Sequence, residues 1–273
     1  MAEKAHADAG EKPASSIHKF DLITRGDRTP TPGGKAAFVL ARALDIPIQY
    51  SILAHGAGTA LLHQVGVRTL PTGHPGHTGF PLIDNLGLSP YRLVLFGMTV
   101  GSALKQIIWV TTISKDPMDT KAALIVGVLN TVMNGINNYA FLLDFAASTH
   151  SDFPQAPLLV GGTLYVVGIL TELISEIQRK RFKDDPRNEG KPYTGGLWKL
   201  ARHINYGAYT VWRAGYAMAA GGWLLGAAIG ALFAYDFTTR AIPSLDEYCS
   251  KRYGADWEQF KRQTKYRLLP GLL

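Results

Sequence analysis

Residues 171–209 read TELISEIQRKRFKDDPRNEGKPYTGGLWKLARHINYGAY and lie between two apolar runs. The stretch leaves the first run with two carboxylates four residues apart, Glu172 and Glu176, and then crosses a dense basic segment. It ends in a Gly-Gly pair followed by aromatic, basic and amide side chains. Few soluble domains place so many hydrogen-bond donors, aromatic rings and glycines directly between apolar runs. We therefore expect this stretch to form a polar surface at a membrane boundary.

The composition of the whole chain is typical of a membrane protein. Of its 273 residues, 47% are hydrophobic and 18% are charged, and the charged residues cluster, so that long stretches are almost free of them. The net charge of +7 arises beside the apolar runs, as cytoplasmic loops require, and no nucleic-acid-binding module is recognisable. The only cysteine, Cys249, excludes an internal disulfide, and no Cys/His cluster has zinc spacing. We expect no metal and no nucleic-acid partner.

Apolar runs predict an all-α polytopic membrane bundle of about five to seven transmembrane helices, since about 20 residues cross the hydrocarbon layer. Residues 1–35 are polar and are expected to form a disordered or loosely ordered tail without a secretory signal. Residues 36–273 are expected to form a single integral membrane domain. A short helix is predicted over Ala36–Ala43, and spans are predicted over Ile46–Val67, Tyr91–Ile113, Ala122–Ala147, Pro157–Ser175 and Ala208–Tyr235.

The distribution of Lys and Arg predicts an orientation. The loop 114–121 and the segment 177–207 are basic, whereas 147–157 contains no Lys or Arg. The positive-inside rule then places the N-terminal tail and both basic segments in the cytosol. Because the C-terminal segment is also basic, the glycine-rich run 208–235 is expected to form a helical hairpin. A single crossing with a lumenal C-terminus is the competing topology.

Polar side chains inside the spans are costly unless they face other helices or a cavity. Lys105 is expected to snorkel, to pair with Glu172 or to bind an anionic group. Glu172 and Glu176 share a helical face, and either form ion pairs with nearby Lys and Arg or bind a polar group of a ligand. Four asparagines lie on one helical stripe and either join helices or line a polar cavity: Asn130, Asn134, Asn137 and Asn138.

Two motifs follow each other in the last third of the chain. The first, over 176–206, reads E-x-Q-R-x-x-F-K-x-x-P-x-N-x-G-K, then G-L-W-x-x-x-R-H-x-N-Y. The second, over 242–271, reads I-P-x-x-D-E, then Y-G-x-D-W-x-x-F and Y-R-L-L-P-G. Together they resemble the C-terminal signature of the steroid 5-alpha-reductase and sterol reductase superfamily, especially its uncharacterised bacterial and fungal membrane proteins. The motifs cover 155–273, and the arrangement of spans extends the resemblance to 90–155.

The resemblance implies a membrane cavity and a cytosolic, cofactor-facing C-terminal segment that binds NADPH. It implies an NADPH-dependent oxidoreductase of lipid metabolism that acts on CH–CH groups, reducing a carbon–carbon double bond in a steroid-, sterol- or enone-like substrate. The resemblance implies the endoplasmic reticulum as the setting, and a bacterial inner membrane fits the sequence equally. Membrane lipid and a lipophilic small molecule are the expected partners. The residues expected to bind NADPH are Arg179, Lys191, Trp198, Arg202, His203, Asn205, Tyr206, Asp246, Glu247 and Tyr253.

The group that polarises the substrate and supplies the final proton is not carried over by either motif. Tyr139, Glu172 and Lys105 are the candidates, because each places a polar group within a predicted span. The sequence departs from the superfamily at Ile204, where proline is usual. It also departs at 207–209, where Gly-Ala-Tyr replaces a segment that ends in a carboxylate.

Two alternatives remain open. Arg-His-x-x-Tyr at 202–206 is also similar to the signature of isoprenylcysteine carboxyl methyltransferases, which implies S-adenosylmethionine as the cofactor. The missing carboxylate after Tyr206 is also compatible with a non-catalytic membrane protein that keeps the fold.

Overall fold

The computed structural model describes Asp27, residues 29–145 and residues 154–272. Most of the predicted N-terminal tail, and the end of the predicted span Ala122–Ala147, lie outside the described residues. Within them the backbone forms helices and no strand, apart from a single bridge between Thr69 and Leu143. The predicted all-α class is confirmed.

The helices are numbered here in chain order. A π-helical turn over Trp109–Ile113 extends α4, a second over Phe237–Ala241 joins α7 to α8, and 3-10 turns occur at Pro186–Asn188 and Gly196–Lys199. The helices are α1 (Pro32–His55), α2 (Thr59–Gln64), α3 (Pro81–Asp84), α4 (Pro90–Ile108), α5 (Thr120–Leu142), α6 (Ala156–Asp184), α7 (Ile204–Asp236), α8 (Ile242–Tyr253) and α9 (Ala255–Gln263).

The predicted bounds of the first span were wrong. One helix, α1, covers the predicted short helix and the first part of the span Ile46–Val67, and the separate short helix α2 lies in the rest of that span. Proline in its first turn favours its start, and Gly56, in the left-handed region at φ 63°, ends it. The prediction divided this helix because polar residues interrupt its apolar run; two of them, Asp45 and Gln49, form hydrogen bonds inside the bundle.

By length and composition, four helical segments of the described chain can cross a membrane: Pro32–His55, Pro90–Ile113, Ala156–Asp184 and Ile204–Tyr253. The 23-residue α5 is also long enough, although its asparagines lower its hydropathy. The segment that begins at Ile204 contains two helical arms. The bundle therefore falls within the predicted range of five to seven long helices.

Residues 208–235 form the predicted hairpin. At Gly222 the backbone leaves helical geometry, with φ 84° and ψ −172°, a conformation that only glycine adopts readily. The chain then runs back along itself. A Cβ atom built on Gly226 would lie 2.5 Å from the Cβ of Met218, and the Phe233 ring packs edge-on against Tyr209 at 5.2 Å.

The hairpin brings the C-terminal segment back to the beginning of α7. The backbone N–H groups of Arg202 and His203 donate to the carbonyls of Tyr266 (3.0 Å) and Arg267 (2.9 Å). The C-terminal segment therefore lies on the same side of the bundle as the connection between α6 and α7. A single crossing that separates these two segments is wrong.

The closest helix packing joins α6 to the first arm of α7. A Cβ on Gly161 would lie 2.5 Å from the carbonyl oxygen of Gly215, and one on Gly168 would lie 2.6 Å from the backbone nitrogen of Trp212. Small residues of this kind let membrane helices approach each other closely. This close interface between α6 and α7 holds Glu172, one helical turn beyond Gly168, next to α7.

Candidate active site

A cavity of about 250 Å³ opens at the end of the bundle where α6 and α7 are connected. Its wall combines the end of α6, the segment 192–203, α8, α9 and the residues that follow α4. Five of the residues predicted to bind a cofactor line it: Arg179, Trp198, Arg202, His203 and Tyr253. The two sequence motifs, far apart along the chain, thus meet around one cavity.

Positive charge predominates among the described residues of the lining. Six cationic side chains face four carboxylates. The lining also has several aromatic rings, including Trp109, Tyr193 and Trp257, which provide flat apolar faces. An anionic ligand with planar rings suits this combination. The cationic residues are Lys115, Arg179, Lys180, Lys183, Arg202 and Arg252, and the acidic ones are Asp27, Asp116, Glu176 and Asp184.

Glu176 organises the deepest part of the cavity. It accepts a hydrogen bond from Arg179 (2.5 Å) and another from the amide of Asn205 (2.7 Å). The guanidinium of Arg179 also lies 5.1 Å from the ring centroid of Trp198, whose indole N–H is anchored on the carbonyl of Ser175. Glu176 thus orients two predicted cofactor residues. The side-chain amide oxygen of Asn205, Oδ1, is buried and accepts no hydrogen bond from the described residues.

Arg202 lines the cavity but is partly committed to the fold. Its Nη1 donates to the carbonyls of Thr264 (2.5 Å) and Lys265 (3.2 Å), just beyond the end of α9. Burial, reinforced by Arg267, lowers the pKa of Arg202, an effect of its desolvated position. Arg202 thereby fastens the C-terminal segment to the cavity wall.

His203 is buried and neutral in this setting. Burial, with help from the charge of Arg202, lowers the pKa of His203 to about 3. The ring stacks on Tyr206 at 5.9 Å, and its Nδ1 atom has no hydrogen-bond partner in the described part of the chain. A buried polar atom without a partner in a cavity wall is suited to a ligand.

Five predicted cofactor residues are not part of the cavity lining, and one of them, Asn205, contacts the lining residue Glu176. Lys191 is exposed, and Glu247 pairs with Lys251 (2.7 Å) on the surface of α8. Asp246 accepts from the indole N–H of Trp257 (2.8 Å), so it supports the wall from behind. Tyr206 stacks on Phe237 at 4.7 Å.

Several lining residues were not predicted as cofactor contacts. Lys115 and Asp116 come from the loop after α4, and Tyr248, Cys249 and Arg252 come from α8. The basic character of both segments was a signal, but nothing in their spacing indicated that they face the same cavity. Lys183 belonged to the first motif and lies over the Tyr253 ring, 4.6 Å from its centroid.

Lys105 and Glu172 form an ion pair inside the bundle, which is one of the three outcomes expected for Lys105. Glu172 also accepts a hydrogen bond from the indole N–H of Trp212 (2.7 Å), so both of its oxygens have donors. Glu172 lies one helical turn deeper than Glu176, which lines the cavity. The pair therefore occupies the layer directly beneath the candidate cofactor site.

Tyr139 lies away from the other two catalytic candidates. Its hydroxyl donates to the carbonyl of Ala57 (2.7 Å), near the end of α5. Along α5 it is nine residues, about 13 Å, beyond Asn130, which contacts the neighbour of Lys105, Gln106.

The asparagine stripe joins helices. Asn134 donates to Asp45 of α1 (2.7 Å), Asn138 donates to Gln49 of α1 (2.9 Å), and Asn130 accepts from Gln106 of α4 (2.7 Å). Of the two interpretations of these residues, the structure supports hydrogen bonding between helices.

The departures from the superfamily pattern have structural roles. Ile204 is buried in a cluster with Trp198, Trp257 and Phe260 at the cavity wall. Gly207 leaves room for the C-terminal segment, because a Cβ atom there would lie 2.0 Å from the carbonyl oxygen of Leu268.

Comparison with known proteins is consistent with the two motifs. Residues 108–264, more than half of the chain, match the model of the DUF1295 family, whose description reads 'protein of unknown function'. A probable O-methyltransferase, ustE, of Ustilaginoidea virens is 39% identical over 90% of this chain and 88% of its own length.

Sterol reductases match over smaller parts of their length. The Delta(14)-sterol reductase ERG24B of Gibberella zeae is 30% identical over 42% of this chain and 34% of its own length. That of Neurospora crassa is 24% identical over 78% of this chain and 55% of its own length. With four segments long and apolar enough to cross a membrane, the chain is an integral membrane protein. It belongs to the DUF1295 family, within the steroid 5-alpha-reductase and sterol reductase superfamily.

Proposed function

We propose that the protein is an NADPH-dependent reductase of a carbon–carbon double bond in a lipophilic substrate. The observation that carries the proposal is the cavity in which six cationic side chains meet four carboxylates beside aromatic rings. NADPH combines several phosphate charges with two ring systems, whereas S-adenosylmethionine carries a positive sulfonium. The named sterol reductases among the relatives support the reaction class.

Different residues of the cavity lining would bind different parts of NADPH. Arg252 and Lys183 supply charge for phosphate groups at the rim, and Arg179 is pre-oriented by Glu176. Trp198 and Tyr253 offer ring faces. The neutral His203 offers Nδ1 as a hydrogen-bonding atom.

When bound, NADPH supplies a hydride, and the reduction also needs one proton on the second carbon. We assign the supply of this proton to the buried pair of Lys105 and Glu172, which lies one helical turn beneath the cavity. A protonated lysine can donate, and Glu172 holds it in place. Tyr139 is the weaker candidate because its hydroxyl is bound to the backbone near the end of α5.

A second candidate is S-adenosylmethionine-dependent O-methylation. One specific observation favours it: the probable O-methyltransferase matches nearly the whole chain, whereas the Gibberella sterol reductase matches less than half. S-adenosylmethionine would then bind in the same cavity, and the carboxylates of the cavity wall would face its positively charged sulfonium.

The test is ligand-dependent thermal stabilisation of the purified protein in lipid nanodiscs. We expect NADPH to stabilise the protein, by about 2.7 kcal/mol at a hundredfold excess over Kd, and S-adenosylmethionine to have no effect. Arg252→Gln should weaken NADPH binding roughly tenfold, because a charge-assisted contact is lost. Arg187→Gln is the matched control, since this exposed residue pairs with Asp185 outside the cavity. Stabilisation by S-adenosylmethionine alone would establish the second candidate instead.

A further inference from the structure

A second cluster of charged residues lies inside the bundle, outside the cavity wall. Arg42 and Asp45 of α1 pair at 3.0 Å with both side chains fully buried. Asp45 also accepts from Asn134 (2.7 Å) and from Gln49 (2.9 Å), so each of its two oxygens accepts at least one hydrogen bond. Arg213 of α7 donates to Asn134 (3.2 Å), which brings it into the same cluster.

The charges of this cluster do not balance. Arg42 and Arg213 contribute two positive charges, and Asp45 contributes one negative charge. The neighbouring pair, Lys105 and Glu172, is neutral as a unit and satisfies itself. Burying an uncompensated charge away from water is unfavourable, so an additional anion would stabilise this cluster.

The unused hydrogen-bonding atoms of Arg42 indicate what kind of anion fits. Nη1 donates to Asp45, while Nε and Nη2 have no acceptor among the described residues. These two nitrogens point the same way from the planar guanidinium and form its side-on fork. That fork matches the two oxygens of a carboxylate, which accepts both bonds in parallel.

We propose that Arg42 binds the carboxylate of a lipophilic acid within the bundle. The ligand's apolar part remains among the helices, while its two carboxylate oxygens accept from Nε and Nη2. Arg42 lies ten residues, about 15 Å, into α1, and Arg213 lies nine residues into α7, so the site is deeper than the cavity entrance. As a binding site it is independent of the cofactor; as a substrate site it rests on the proposed function.

The test measures binding of isotope-labelled palmitate to the protein in nanodiscs at alkaline pH, with hexadecanol as the uncharged probe of equal chain length. We expect saturable binding of palmitate and none of hexadecanol. Arg42→Gln should weaken palmitate binding at least tenfold, and Arg42→Lys should have an intermediate effect because it keeps the charge but loses the fork. Arg92→Gln is the control, since Arg92 is also buried and donates to the carbonyls of Leu53 and Pro71.

A further variant keeps the test decisive if Arg42→Gln does not fold. Asp45→Asn removes the competing carboxylate, and we expect it to bind palmitate more tightly. Equal binding of palmitate and hexadecanol, or unchanged affinity in both Arg42→Lys and Asp45→Asn, would overturn the proposal. NADPH stabilisation measured on the same proteins separates this outcome from failure of the cofactor proposal.

Discussion

Glu172 receives two donors, the ammonium group of Lys105 and the indole N–H of Trp212, within a tightly packed helix interface. Losing one partner of a buried ion pair leaves the other charge uncompensated, which typically costs about 3–5 kcal/mol. Replacing both partners avoids that penalty. The stability of the protein is therefore expected to fall when one of the two charges is removed, and to fall less when both are removed together.

We predict that Lys105→Met lowers the free energy of unfolding by about 3 kcal/mol or more, and that adding Glu172→Gln recovers much of the loss. Unfolding in mixed detergent micelles measures both. Lys251→Met is the control, because its surface pair with Glu247 should contribute less than about 1 kcal/mol. Equal destabilisation by the single and double substitutions would contradict the prediction.

His203 makes stability depend on pH. Its pKa is about 3 in the folded protein and near 6.5 when unfolded, so the unfolded chain binds the additional proton between these values. We predict that stability is lost as the pH falls below about 6.5, by up to about 1.4 kcal/mol per pH unit. His203→Gln should flatten this dependence in thermal unfolding, and an unchanged dependence in that variant would contradict the prediction.

At the scale of elements, the hairpin in α7 decides where the cavity forms. The reversal at Gly222 lets α8 and α9 return to the beginning of α7, and the backbone there has a conformation that other residues reach only with strain. The hairpin thus connects one glycine to the geometry of the distant cavity.

We predict that Gly222→Ala destabilises the protein by about 1–3 kcal/mol and also weakens cofactor binding. Gly97→Ala is the matched control, since Gly97 lies within α4 with open space around it and alanine favours a helix by up to about 1 kcal/mol. Thermal unfolding with and without NADPH measures both effects. A Gly222→Ala protein as stable as wild type would show that the turn is not strained.

The elements differ in how far the sequence predicted them. The hairpin followed from basic charge on both sides of a glycine-rich run. The pair of Lys105 and Glu172 was only one of three outcomes that the sequence left open for Lys105. The bounds of α1 did not follow, because Asp45 and Gln49 interrupt its apolar pattern, and their partners Asn134 and Asn138 lie on another helix, α5. Residues of α8 and of the loop after α4 line the cavity because of tertiary packing. The spacing of residues within one segment does not predict which distant segments will meet.

At the scale of the whole molecule, the fold assigns chain segments to two ends of the bundle. Lys191 and Lys265 are exposed at the cavity end, while Leu82 is exposed in the connection before α4, whose other end reaches the cavity. Orientation in the membrane remains a prediction from the basic loops, with the cavity facing the cytosol.

We predict that Lys191→Cys and Lys265→Cys react with a membrane-impermeant thiol reagent from the cytosolic side only, and that Leu82→Cys reacts from the opposite side only. The background carries Cys249→Ser, which removes the single native thiol. Sealed vesicles of known orientation allow the comparison. Labelling of Lys191→Cys and Lys265→Cys from different sides would contradict the hairpin.

The hydrogen bonds from the start of α7 to Tyr266 and Arg267 have a consequence for the order of biosynthesis. The long helices emerge from the ribosome and enter the membrane first, while residues 257–268 are still being translated. Until those residues emerge, Trp257 and Phe260 are missing from the cavity wall and Arg202 has no carbonyls to hold. We therefore expect the nascent chain to enter the membrane before its cavity wall is complete.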